Sequence, residues 1–62
     1  MKKDDMIKIV LQNVQMNLVQ KRLLAIGVPE TLTIEQLGEH LKKVTNVELQ
    51  RILDIIEFER RW

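Results

Sequence analysis

One interruption governs how this chain can fold. Between Asp4 and Ile26 there is neither glycine nor proline, and the segment is dense in Leu, Gln, Lys and Met, all good helix formers. Gly27-Val28-Pro29 then stops it, because glycine suits the left-handed backbone after a helix and proline prevents resumption. Asp4 and Asp5 sit where carboxylates favour the positive end of the helix dipole, and Lys21 and Arg22 lie near the other end. These signals predict a first helix over residues 4–26, about 30 Å long at the standard rise. Asn17-Leu18-Val19-Gln20 offers an internal capping box, but without Gly or Pro nearby the continuous helix is preferred.

Beyond the stop, Thr33-Ile34-Glu35-Gln36 reads as a capping box, in which the hydroxyl and the amide side chain satisfy free backbone donors. Ile34, Leu37, Leu41 and Val44 follow at helical spacing, predicting a second helix over 34–43. Thr45-Asn46-Val47-Glu48 is a second such box, so a third helix is expected over 46–59. Apolar/polar alternation never persists, so strands are not expected. The fold class is all-α: one helical domain over 1–62, a long N-terminal helix with a helix-turn-helix pair.

Composition bounds the rest. A chain of 62 residues allows a single domain. With 45% apolar residues and a net charge of +1 it is not of the disordered type. Cysteine is absent, so disulfide scaffolds and thiolate metal sites are excluded. The longest apolar run, Leu23 to Val28, is far short of the roughly 20 residues that cross a bilayer. No signal-peptide pattern opens the chain, and a cytoplasmic location is the expectation.

The apolar residues of the first helix fall on two faces. Ile7, Leu11, Val14, Leu18 and Ala25 form one stripe; Ile9, Met16, Val19, Leu23 and Ile26 form another, nearly opposite. The third helix repeats this, with Leu49, Ile52, Leu53 and Ile56 on one face and Ile55, Phe58 and Trp62 on a second. A small three-helix core needs one stripe per helix. Leaving several large side chains exposed would cost about 1.5–3 kcal/mol each, so a homodimer is expected. Its face would comprise Ile9, Met16, Val19, Leu23, Ile26, Ile55, Phe58 and Trp62. The Phe58/Trp62 pair also reads as core packing or as an aromatic anchor for a partner.

Catalytic chemistry finds few candidates. Serine and cysteine are absent, and each of the three threonines sits at a turn or helix start. His40 is the sole histidine, and the residue three before it is Leu37, so the Glu-x-x-His metal spacing fails. Two separated glycines do not make a phosphate loop. No enzyme activity, cofactor or metal is expected.

Nucleic-acid binding is the competing reading. Leu37-Gly38-x-x-Leu41, with Val44, Leu49 and Ile52, resembles the frame of the DNA-binding helix-turn-helix, with a turn one residue longer and lysine in place of the turn glycine. The resemblance covers about 20 residues and implies DNA contacts from Lys42, Lys43, Asn46, Gln50 and Arg51. Charge opposes it: residues 1–28 carry five basic and two acidic groups, while 29–62 carry five basic and seven acidic. The reading helix would present Glu48 and Asp54 to phosphate. Ile26-Gly27-Val28 followed by Asn46-Val47-Glu48 is similar to ubiquitin-associated domains, but the separation is too long and their alanine–leucine core pair is absent. The N-terminal lysines are not gathered on one face, so a membrane surface is not expected. The chain therefore reads as a small regulatory or adaptor protein acting by protein–protein contact as a homodimer, with a dimeric DNA-binding regulator as the alternative.

Overall fold

The computed structural model describes residues 1–61. Four helices follow one another: α1 (Lys3–Gln12), α2 (Asn17–Ala25), α3 (Ile34–Leu41) and α4 (Asn46–Arg60). The described residues contain no strand. The all-α class therefore holds, while the single helix expected over 4–26 is two helices.

Asn13 carries the break. In an uninterrupted helix its amide would bond the Ile9 carbonyl; here that amide turns to the Val10 carbonyl at 3.0 Å, and the Asn13 side-chain amide donates to the Ile9 carbonyl at 2.8 Å. A turn follows, closed by the Met16 amide on the Asn13 carbonyl at 3.1 Å. Met16 is extended, and its carbonyl accepts the first bond of α2 from Gln20. Asn17 is thus the first residue inside α2 and makes no side-chain cap, so the internal capping box is not used. From α4, Arg60 Nη2 donates to Asn13 Oδ1 at 3.3 Å.

Burial supplies the reason to break. Met6, Ile7 and Val10 of α1 are buried, and so are Val19 and Leu23 of α2. Ile7 belongs to the first predicted stripe; Val19 and Leu23 belong to the second. A straight helix would point these groups apart, whereas the turn at 13–16 aims both into one core. Burying Val19 and Leu23 is worth about 1.5–3 kcal/mol each. Against this, the amides of Val14, Gln15, Asn17, Leu18 and Val19 make no backbone hydrogen bond among the described residues. A typical intramolecular hydrogen bond contributes about 0.5–1.5 kcal/mol net, Gln15 and Asn17 are exposed to water, and Asn13 replaces the Ile9 bond. Burial wins.

The second turn is local. Gly27 has φ of 87°, the Val28 amide donates to the Leu23 carbonyl at 2.9 Å, and the Gly27 amide donates to the Leu24 carbonyl at 3.0 Å. That is the Schellman pattern, completed by the buried apolar pair Leu23 and Val28. Thr33 then starts α3 with a full capping box: its hydroxyl accepts from the Gln36 amide at 3.1 Å and its amide donates to Gln36 Oε1 at 3.0 Å. α3 ends at Leu41, two residues before the expected limit, and Lys42 and Lys43 lie in the turn. Thr45 caps α4 through the Glu48 amide at 3.2 Å, but the Glu48 carboxylate does not return to the cap. It accepts both prongs of the Arg22 guanidinium instead, at 2.5 and 2.9 Å, and so ties α2 to α4.

α1 packs on α3 and α4, and α2 packs on α4. Leu37, Leu41, Leu49, Ile52, Ile56 and Val28 complete the core, which contains no buried polar or charged residue among those described. Gly38 lies where α3 meets α1; a methyl group there would touch Leu11 Cδ1 at 3.6 Å, an ordinary contact.

Candidate interaction groove

Because α3 leans chiefly on α1 and α2 on α4, a cleft of about 320 Å³ remains between α2, the 28–32 loop and α3. Leu23, Val28 and Leu37, all buried, form its floor. Half-buried Val14 and Leu32 wall it, and Ile34, 56% exposed, stands at its edge. Gln20, Pro29 and Glu30 complete the lining.

Each contributor is placed by a turn or cap already described. The turn after Asn13 brings Val14 to the cleft. The left-handed Gly27 reverses the chain so that Val28 folds back over Leu23. The Thr33 cap fixes the first turn of α3, and with it Ile34, which is 56% exposed and lies outside the packed core.

Glu30 is the charged residue that lines the cleft, while Glu35 and Glu39 line a separate depression with Lys43. Residues 29–41 contain Glu30, Glu35 and Glu39 and no Lys or Arg. Lys42 pairs with Glu39 at 3.1 Å, but Glu30 and Glu35 form no ion pair among the described residues. Across the molecule, the Glu48 carboxylate is held below its ordinary range by its hydrogen bond to Arg22, with burial opposing; the Arg22 guanidinium is raised by the same bond. This pair is a clasp between helices and faces no cleft-lining residue.

The residues expected to form a self-association face do not make one exposed stripe. Val19 and Leu23 lie in the protomer's own core, with Leu23 also flooring the cleft. Ile9, Met16, Ile26 and Ile55 are half-buried and packed against that core. Phe58 is 56% exposed, which separates it from the core-packing reading, and Trp62 lies outside the described residues. Six of the eight residues of that face, Ile9, Met16, Val19, Leu23, Ile26 and Ile55, are thus wholly or partly covered within one chain.

The five residues of the DNA reading are all exposed. Lys42 is paired with Glu39, and Gln50 Nε2 donates to Asp54 Oδ1 at 3.1 Å. Acidic side chains thus interleave the basic ones on this surface. His40 is half-buried on α3, beside a shallow polar depression lined by Glu35, Gln36, Glu39 and Lys43. No group of His, Cys, Asp or Glu among the described residues is arranged to hold a metal ion. No helix among the described residues is long and apolar enough to cross a membrane.

Val14, Val28, Leu32, Ile34 and Leu37 were absent from the expected partner face. A signal was present in the loop: Val28-Pro29-Glu30-Thr31-Leu32 is unusually apolar for a surface connection, and Ile34 occupies the polar first turn of a short helix.

No family model matches the chain, and no curated protein or solved structure is significantly similar to it.

Proposed function

We propose that this chain is a non-enzymatic helical binding protein that acts by protein–protein contact, receiving an apolar side chain of its partner in the cleft between α2 and α3. The observation that carries this reading is Ile34, exposed beside a floor of Leu23, Val28 and Leu37. Apolar clefts with a few polar rim groups are the usual form of a recognition site. A large aliphatic side chain left in water at such a place is what a partner would cover.

A catalytic role finds less support. The two groups with displaced proton affinities, Arg22 and Glu48, owe the displacement to each other and serve to join helices. The DNA reading is weakened because two of its proposed contacts are already engaged by acidic side chains, Lys42 by Glu39 and Gln50 by Asp54.

Selection of a random displayed peptide library tests the reading. Peptides enriched on the native protein should lose binding to Ile34→Glu, a change at an exposed position that leaves the helical circular dichroism intact. Enriched peptides indifferent to Ile34→Glu, or no enrichment at all, would contradict it.

A further inference from the structure

We propose that two copies of this chain exchange α1: the turn at 13–16 straightens into one helix with α1 and α2, and each α1 takes the place of its partner's on α3 and α4. This goes beyond the binding reading and does not rest on it. Exchange leaves the core as it is, because Met6, Ile7 and Val10 enter the same surroundings in the second copy. Only the turn changes, and the turn is where the bent chain is least satisfied.

Among the described residues, the amides of Val14, Gln15, Asn17, Leu18 and Val19 have no backbone partner. An uninterrupted helix supplies all five, from the carbonyls of Val10, Leu11, Asn13, Val14 and Gln15. The sequence does not oppose that helix, since residues 4–26 contain neither glycine nor proline. Gly27 alone among the described residues has a positive φ, so the turn at 13–16 holds no left-handed residue either. Straightening also aligns Leu11, Val14 and Leu18, half-buried in the bent chain, on one helix face that a second copy can cover. Against these gains stand the Asn13 side-chain bond to Ile9 and the entropy of joining two chains, which concentration offsets. Exchange requires α1 to leave its core, so a purified monomer stays monomeric.

The bent form can be locked without touching the core. Asn17 is the first residue of α2 and is exposed, its amide has no backbone partner, and Met16 before it has φ −68° and ψ 130°. Proline is favoured at the first position of a helix and favours such an extended residue before it. In a continuous helix the same proline removes the bond to the Asn13 carbonyl and clashes with it.

Refolding at micromolar and at millimolar concentration, followed by size exclusion with light scattering, tests the exchange. At the higher concentration the native chain should yield a species of twice the chain's mass. In that species the Val14 and Gln15 amides should be protected from hydrogen exchange, as they are not in the monomer. Asn17→Pro should yield monomer only, with an unchanged or raised melting temperature. Asn13→Ala, which releases the Ile9 bond and favours helix, should raise the ratio of dimer to monomer about tenfold. A dimer that Asn17→Pro leaves undiminished would be an ordinary contact between faces and would overturn the proposal. So would a native chain and an Asn13→Ala variant that stay monomeric at both concentrations. A much lower melting temperature for Asn17→Pro would overturn it as well, because the chain would then not be bent at Met16.

Discussion

Two interruptions divide the first half of the molecule, and they are held by different forces. The turn at Gly27 is local: a left-handed glycine, two backbone bonds and a proline two residues on. The turn at Asn13–Met16 has no such residue. It is held by what lies around it, the Asn13 amide on Ile9, the reach of Arg60 from α4, and the burial of Val19 and Leu23. A helix can therefore be stopped by its own backbone chemistry or by the destination of its side chains. Only the first kind leaves a mark in a short stretch of sequence.

The comparison can be broken most severely at Leu23. Leu23→Ala removes a buried side chain that anchors both turns, and should cost about 2–5 kcal/mol, enough to abolish a cooperative melt in a domain this small. Thermal denaturation followed by circular dichroism reads it. A loss below 1 kcal/mol by the same measurement, about the scale of an exposed site, would show that burial of α2 does not hold the break.

Gly27→Ala tests the local turn alone. Nothing lies within 4 Å of the added methyl, so the cost is that of the left-handed backbone, about 1–2 kcal/mol. A melting temperature lower by several degrees is expected, and no change would mean that the turn relaxes without penalty. Asn13→Ala should be milder, about 1 kcal/mol, because it deletes side-chain bonds while the apolar residues stay in place. If it instead exceeded Gly27→Ala, the side chain rather than burial would be the main support of the break.

The smallest effect is the pH dependence of the α2–α4 clasp. Because the folded-state affinity of Glu48 for protons is depressed, its contribution is present above the ordinary carboxylate range and lost as pH falls through the folded value. Glu48→Gln should flatten that acid-side slope in urea denaturation. Equal slopes for native protein and Glu48→Gln would remove the clasp from the account.

The C-terminal half was legible because its signals are local. Thr33 with Gln36 and Thr45 with Glu48 mark the starts of α3 and α4, and Gly27 marks the end of α2. Even there the Thr45 motif was half right, since the Glu48 side chain takes the guanidinium of Arg22, 26 residues away in the chain. The break in the first helix was not legible for the same reason. Asn13 is an ordinary helix residue until Ile9 and Arg60 are placed beside it, and the two apolar stripes lie opposite each other only while the helix is straight. The cleft follows from the break, so Val14, Val28, Leu32 and Leu37 came from positions that periodicity assigned to a core or a loop. Ile34 too belonged to the helical stripe it shares with Leu37, Leu41 and Val44, yet it stands 56% exposed at the first position of α3.

Amide hydrogen exchange across residues 10–20, read residue by residue by NMR, addresses the break most directly. A broken helix predicts that Val14 and Gln15, which make no backbone hydrogen bond among the described residues, exchange rapidly between slowly exchanging Val10 in α1 and Leu23 in α2. Uninterrupted protection from α1 through α2 would contradict it, restoring one long helix with two apolar faces and the need for a second chain to cover them.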